Sequence, residues 1–460
     1  MGLISSILLM RVLEPEVFGV LAAFMVVNGL FEMIRDVGLA RAIVFADSTE
    51  YNSICNLAFF SNLAAGLVFC VVLFFCAPIV AGVFGVKESY VNALRALALL
   101  PLANASVGTL DNILQSHMMF REKVIGEIVS AFSYMLMANI IALAGFGVWS
   151  VVIALLVSPL VLSAWYWSKV MKLWIPSLRF HSLSLKRNLQ LGLNLTGSGL
   201  IAYVYNNLDN LAVGKILGPI ELGYYSRGYN YAMMPSSLIG SVIGKITGPW
   251  FREKSKDPLS LASDVARLFS LLLIFTPPLF ISIIALSKDL VVLAVGVKWL
   301  PMVVPFQILT AYSCMRLIAS SSSNVFAALG KYHLISLLPL VHLFCLAIIV
   351  FPLTASYGII GTSVAVFLTI IVGGTGSVWA VLHSVRLSIK DLRGPLFFAI
   401  AFSGSSLIAI FLLDVQTLSQ FWLVTAKLGI ILLAFVVFLK WLVPLEAGRA
   451  ITLLKQVRLS

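Results

Sequence analysis

The stretch Lys215-Ile-Leu-Gly-Pro219-Ile-Glu-Leu-Gly223 repeats the pattern Arg11-Val-Leu-Glu-Pro15-Glu-Val-Phe-Gly19, 204 positions further along the chain (215 − 11). Three more pairs follow in the same order. Gly85-Val86-Lys87 matches Gly296-Val297-Lys298 at an offset of 211, Phe120-Arg121 matches Gly330-Lys331 at 210, and Gly145-Phe-Gly147-Val matches Ser356-Tyr-Gly358-Ile at 211. Each match is weak alone. Their common order and nearly constant offset, always at the same kind of loop, predict a duplicated chain of two six-helix halves. An even number of spans separates the copies, so both point the same way, related by an axis along the membrane normal.

The sequence between these anchors is apolar. Of 460 residues 60% are hydrophobic and 11% charged, with mean hydropathy +1.04, against about 45–50% and about 25% in soluble domains. One core cannot hide that much apolar surface, so a soluble globular protein is excluded and the solvent is a bilayer. A crossing helix needs about 20 apolar residues. Such runs are expected at 17–34, 53–80, 91–116, 126–144, 148–168, 189–213, 223–246, 264–286, 300–327, 333–351, 358–381, 395–413 and 419–441, thirteen in all. Residues 2–10 are too short to span and read as the second half of one more helix whose beginning is missing; no signal-peptide pattern is present. The expected fold is all-α and polytopic, with two pseudo-symmetric six-helix lobes plus two C-terminal helices. Residues 1–168 form the first lobe, 169–188 a basic cytoplasmic linker, 189–390 the second lobe, and 391–460 two extra helices with a tail. Ser182 to Leu191 reads as an interfacial amphipathic helix.

Alternate loops differ sharply in charge. Of the 31 Lys and Arg residues, 22 fall on one side, 5 (Arg11, Lys87, Lys215, Lys288, Lys298) on the other, and Arg95, Arg227, Arg316 and Lys427 within helices. The rich side is cytoplasmic; even spacing of loops places the C-terminus inside, and a restored first helix would place the N-terminus inside too. The net charge of +12 is then a topology signal plus attraction to anionic membrane lipids, and nucleic acid is not an expected partner.

Ionisable residues within spans are costly, so their alignment matters. Asn28, Glu32, Arg35 and Asp36 share one helical face, with Arg41 nearby, and Asn104, Gly108, Asp111 and Gln115 form a second stripe. Tyr203, Asn206, Asn207, Asp209 and Asn210 cluster within two turns, Arg227 follows Tyr224 and Tyr225, and Arg316, Ser320 and Ser323 recur at i, i+4 and i+7. Two readings stand side by side for several of these. Arg35, Asp36 and Arg41 are either ion pairs anchoring a helix end or a cytoplasmic gate; Asp209 and its neighbours are either an interhelical hydrogen-bond cluster or a functional site. Arg316, deep in an apolar run without an adjacent acid, favours a cavity role, whereas Arg95 and Lys427 snorkel.

Five scattered Cys without CxxC and five His without ligand spacing indicate neither disulfide framework, metal site nor cofactor. Gly240-Ser-Val-Ile-Gly244-Lys245 is one residue short of a phosphate loop, and reads as close helix packing continued by Gly248. No catalytic constellation is present, so an enzyme is not expected.

The run Asn206-Asn-Leu-Asp209-Asn210-Leu-Ala-Val-Gly214-Lys215-Ile-Leu-Gly218-Pro219, followed by Leu222-Gly-Tyr-Tyr-Ser226-Arg227, resembles the central signature of bacterial polysaccharide transporters. So do Arg11-Val-Leu-Glu-Pro15 with Phe18-Gly19, and Asp36-Val-Gly38-Leu-Ala. Similarity extends over essentially the whole chain and is to the colanic acid exporter type within the multidrug/oligosaccharidyl-lipid/polysaccharide flippase superfamily. The resemblance implies fourteen helices around a central cavity, from which the short first helix departs. It also implies a cargo, an undecaprenyl-pyrophosphate-linked oligosaccharide, moved between leaflets for capsule, O-antigen or exopolysaccharide assembly alongside a polymerase and glycosyltransferases. With that cargo, Arg11, Lys215, Arg227 and Arg316 are assigned to pyrophosphate or acidic sugars, Asn206, Asn207, Asn210 and Tyr225 to sugar hydroxyls, and Asp209 and Asp111 to ion coupling. The rival readings are a drug or cation antiporter of the same superfamily and a polymerase or ligase, the latter disfavoured by short outward loops.

Overall fold

The computed structural model describes residues 2–35, 43–45, 50–178, 185–388, 392–413 and 429, with backbone alone at 2–3, 34–35, 45, 185–199, 336 and 405–413. All regular structure among them is helical. In chain order the helices are α1 (Gly2–Val12), α2 (Pro15–Arg35), α3 (Tyr51–Val83), α4 (Val91–Leu97), α5 (Leu100–Ala103), α6 (Val107–Ser116), α7 (Phe120–Leu143), α8 (Val148–Val170), α9 (Leu185–Leu217), α10 (Pro219–Lys254), α11 (Pro258–Ala294), α12 (Val303–Ser320), α13 (Ser322–Ala328), α14 (Tyr332–Ser384) and α15 (Arg393–Leu413). Eight segments among the described residues are long and apolar enough to cross a membrane: Pro15–Met33, Tyr51–Val83, Glu88–Ser116, Phe120–Leu143, Val148–Val170, Pro258–Ala294, Val297–Ala328 and Tyr332–Ser384. Their outer faces are oily, as with Phe75 and Ile79 one turn apart on α3 at 73% and 65% exposure, so the surface suits lipid.

Several expected spans take a different form. The run 91–116 is broken into α4, α5 and α6, because Pro101 opens a new turn and Asn104 turns its amide onto the Leu100 carbonyl at 3.1 Å. The run 300–327 breaks likewise at Ser321, between α12 and α13. The two runs 333–351 and 358–381 remain two helices within the stretch α14, parted at Gly358, whose φ of 60° and ψ of −147° are not helical. Leu185 to Leu191 of the expected interfacial helix are the opening turns of α9; Ser182 to Ser184 and the run 419–441, apart from residue 429, lie outside the described residues.

The duplication is written into the backbone. Positive φ recurs at Gly85 and Gly296, and again at Gly147 and Gly358, each pair 211 residues apart. It is also written into the packing. One core gathers Ile54, Ala58, Leu114, Val170 and Trp174; another gathers Val265, Phe269, Val325, Val381 and Val385, each residue 211 positions after its counterpart. In lipid, apolar burial alone drives helices together little, so complementary shape carries this association.

The chain packs as two compact units, residues 1–226 with 354–359 and residues 227–353 with 360 onward. In the first unit α7 lies along α8, and α9 along α2. In the second, α11 packs on α12 and α15. Gly218, at φ 86°, ends α9 by returning its amide to the Gly214 carbonyl at 3.2 Å, and Pro219 starts α10 with φ already set. Asp257 caps α11, accepting from the amides of Leu259 at 3.2 Å and Ser260 at 3.4 Å.

Within the first unit the repeated PxxxG motifs meet. A Cβ on Gly19 would fall on the Pro219 carbonyl, and a Cβ on Gly223 would fall on the Pro15 carbonyl. The contact is reciprocal between repeat-equivalent residues, the close backbone approach that only glycine permits. Beside it Lys87 forms an ion pair with Glu16 at 2.9 Å. The hydrogen bond to Glu16 and its charge hold the Lys87 ammonium above the usual lysine value. That small contribution is complete at and below neutral pH and lost as pH rises through the raised value. Gly19→Ala and Gly223→Ala are each expected to destabilise by about 1–3 kcal/mol, read as a lowered thermal unfolding midpoint in detergent, whereas Gly82→Ala, where a Cβ meets open space, should lower it far less.

Candidate functional site

In the first unit the polar run of α9 folds onto the start of α10. Asp209, 2% exposed, accepts a 2.7 Å hydrogen bond from the hydroxyl of fully buried Tyr225. Its other oxygen accepts the backbone N–H of Asn210 at 2.8 Å and, more loosely, the Asn210 amide at 3.4 Å. The sequence places these groups together because Gly218-Pro219 reverses the chain between two helices, so residues 16 apart face each other. The side-chain amides of Asn206 and Asn207 donate to the carbonyls of Ala202 at 2.7 Å and Tyr203 at 3.0 Å. Among the described residues Asn28 Oδ1 and Asn210 Oδ1 are enclosed without a hydrogen-bond partner, a costly state for buried acceptors. Tyr203 donates to the Val26 carbonyl at 2.7 Å and the Met25 carbonyl at 3.1 Å, its ring resting on Gly29.

In the second unit half-buried Arg316 projects from α12 toward α10. Its guanidinium donates to the hydroxyls of Tyr229 at 3.1 Å and Tyr312 at 3.3 Å, touches the Met233 sulfur at 3.8 Å and lies 5.9 Å from the Tyr312 ring centre. Below it Ser313 donates to Ser236 at 2.7 Å, and Asn324 to Thr247 at 2.9 Å. Ser320 and Ser323, expected to share a stripe with Arg316, are exposed, and the Ser320 hydroxyl donates to the Leu317 carbonyl. Sequence reasoning missed Tyr229 and Tyr312 as partners of Arg316. Tyr312 is legible as i−4 on the same face, but nothing local points to Tyr229 on another helix. A Cβ added at Gly240 or Gly244 would make only ordinary contact with Leu317 or Asn324, and one at Gly248 would meet open space, so the expected close-packed glycine seam is not formed at these positions.

The other predicted residues are dispersed. Arg11 ends α1 and Lys215 nearly ends α9, both exposed. Arg227 is half-buried on α10, its Nε shielded from solvent. Asp111 pairs with Lys123 at 2.8 Å and accepts a long bond from Tyr166 at 3.4 Å, while Glu122 pairs with Lys169 at 3.2 Å, a clasp across α6, α7 and α8. Asp36, Arg41 and the side chain of Arg35 lie outside the described residues. Among the described residues no cluster of His, Cys, Asp or Glu has a metal-binding arrangement.

Duplicated apolar helices carrying enclosed carboxylate, amide and guanidinium groups define a polytopic membrane protein of transporter fold. Residues 8–304 match the family described as polysaccharide biosynthesis protein, well over half the chain, and the protein belongs to that family. It is 23% identical over 337 residues to the lipopolysaccharide biosynthesis protein WzxC of Escherichia coli K12, covering 72% of this chain and 67% of that one. It is 27% identical over 302 residues to the succinoglycan biosynthesis transport protein ExoT of Rhizobium meliloti, covering 64% and 58%. The chain thus spans about three-fifths to two-thirds of these curated relatives. The fold resembles that of a solved structure described as the lipid II flippase MurJ, inward closed conformation, at TM-score 0.78 and 15% identity with 95% of both chains covered. An inward-facing multidrug resistance MATE transporter fits at TM-score 0.67 and 16% identity, covering 84% and 94%.

The Asp209–Tyr225 bond yields a direct measurement. Tyr225→Phe removes one hydrogen-bond donor from the buried carboxylate of Asp209 and is expected to cost about 1–3 kcal/mol, whereas Asp209→Asn keeps an acceptor for the phenol and should cost less. Thermal unfolding of the two purified variants separates the outcomes.

Proposed function

We propose that this protein is an inner-membrane flippase that carries an undecaprenyl-pyrophosphate-linked oligosaccharide from the inner to the outer leaflet by alternating access, for capsule, exopolysaccharide or O-antigen assembly. Family membership across residues 8–304 is the observation that carries the reading. The site chemistry supports it. A pyrophosphate in a low-dielectric space needs cations, and a guanidinium held by neutral phenols, as Arg316 is by Tyr229 and Tyr312, keeps a planar fork for phosphate oxygens. Sugars need hydroxyl and amide partners, and the enclosed Asn28 and Asn210 oxygens are acceptors suited to sugar hydroxyls. The polyprenyl chain stays in lipid throughout.

On this reading Arg11, Lys215, Arg227 and Arg316 meet the anionic headgroup, and Asn206, Asn207, Asn210 and Tyr225 the sugars. Asp209, buried and already hydrogen-bonded, is the better coupling carboxylate, because Asp111 is engaged by Lys123. Arg35, Asp36 and Arg41 form the cytoplasmic gate, both termini are cytoplasmic, and a polymerase with glycosyltransferases of the same pathway are the functional partners. Drug or cation antiport is less supported: the MATE neighbour shares the fold, but cationic cargo is a poor match to Arg227 and Arg316.

Arg316→Ala is expected to abolish surface polymer in cells at unchanged protein level, with Arg316→Lys retaining a fraction, since an ammonium keeps charge but not the fork. Unchanged polymer from Arg316→Ala and Arg227→Ala together removes both from the site. In proteoliposomes carrying labelled lipid-linked oligosaccharide, Asp209→Asn should leave leaflet exchange insensitive to an imposed proton or sodium gradient that accelerates the unaltered protein.

A further inference from the structure

The C-terminal end of α10 carries chemistry that transport leaves unused. Gly248, Pro249, Arg252, Glu253 and Lys256, with Ala327 and Ala328 at the end of α13, enclose a depression of about 670 Å³, a volume typical of small-molecule sites. Its depth comes from small groups: a Cβ on Gly248 would meet nothing within 4 Å, and two alanines form the opposite wall. Its level in the bilayer is set by its neighbours. Ala328 lies two residues before Gly330 in the turn into α14, and Lys331 donates to Ser384 at the far end of α14 at 2.8 Å, so the depression lies at the helix ends that carry these basic loops.

The surroundings are amphipathic. Trp250 is half-exposed and donates its indole N–H to Asp264 at 2.8 Å, with the Lys254 ammonium 5.5 Å from its ring centre. Ile246 and Leu259 are exposed at 65% and 74%. An indole with one polar edge, flanked by bare aliphatic side chains and lysine, suits the headgroup boundary. Arg252 and Lys256 against Glu253 leave one net positive charge in the depression. That balance suits a singly charged phosphodiester, whereas a pyrophosphate requires more cations.

We propose that this depression is a binding site for the phosphodiester headgroup of an anionic phospholipid of the cytoplasmic leaflet. Arg252 and Lys256 hold the phosphate, Gly248, Ala327 and Ala328 make room for the glycerol, and the acyl chains lie along Ile246 and Trp250. The site goes beyond the transport reading and does not depend on the identity of the cargo.

The test uses the full chain in phosphatidylcholine nanodiscs titrated with phosphatidylglycerol, retained lipid being counted by native mass spectrometry. Arg252→Ala with Lys256→Ala is expected to lower retained phosphatidylglycerol roughly tenfold. Gly248→Leu, which fills the floor at constant charge, should do the same, Glu253→Gln should raise retention, and Lys254→Ala, outside the depression, should leave it unchanged. Elution profile and unfolding midpoint verify that each variant is folded; if the double variant is not, Gly248→Leu and Glu253→Gln carry the test. Equal retention by folded variants overturns the proposal. So does displacement by millimolar inorganic phosphate, which assigns the site to a free anion, or stronger retention of polyprenyl pyrophosphate, which assigns it to the cargo.

Discussion

The first unit turns on a close approach between two backbones. Gly19 and Gly223 stand at equivalent places in the duplicated sequence, and each leaves no room for a Cβ because a proline carbonyl of the other motif lies there. Pinning the start of α10 to the start of α2 fixes where α9 must run. Tyr203 then reaches the carbonyls of Met25 and Val26, and the Phe84 ring seats on Gly214. The packing boundary accordingly falls after Ser226, one helix beyond the boundary of the sequence duplication. Replacing either glycine would separate the helices and with them the frame around Asp209.

Duplication has preserved packing and let the polar chemistry diverge. The two cores share five residue pairs at a single offset. Apart from the equivalent cations Arg11 and Lys215, the groups that could handle a cargo are not shared. Arg316 corresponds at that offset to Ala105, and the Asp111–Lys123 pair to Ser322 and Leu334. Asp209 corresponds, at the offset of the first motif, to Ser5, which accepts a hydrogen bond from Asn139 at 2.8 Å. Shape complementarity can be inherited by both copies, whereas each charge placed in low dielectric has to be satisfied individually.

Much of the fold was legible because a bilayer leaves few solutions. With no water to satisfy backbone groups, apolar runs of sufficient length become helices. Expected runs such as 91–116 kept their places as spans but lost regularity where local chemistry intervened. Pro101 and Asn104 cut one expected span into three helices, and the start of α9 absorbed what read as a separate surface helix. In the candidate site, Asp209, Asn210 and Tyr225 were legible because a Gly-Pro turn brings them together within 17 residues of sequence. Tyr229 was not, since its partner Arg316 lies 87 residues away.

Composition, period and charge asymmetry therefore determined by themselves that the chain is helical, membrane-embedded and duplicated, because each is a property summed along the sequence and indifferent to long-range contacts. Tertiary structure alone decided which polar groups are engaged: that Asp111 is clasped by a lysine from the next helix, that Arg316 rests among phenols, and that two glycines 204 residues apart touch. These depend on distances between helices, which are set by the shapes of facing side chains and leave no periodic trace in either strand of sequence.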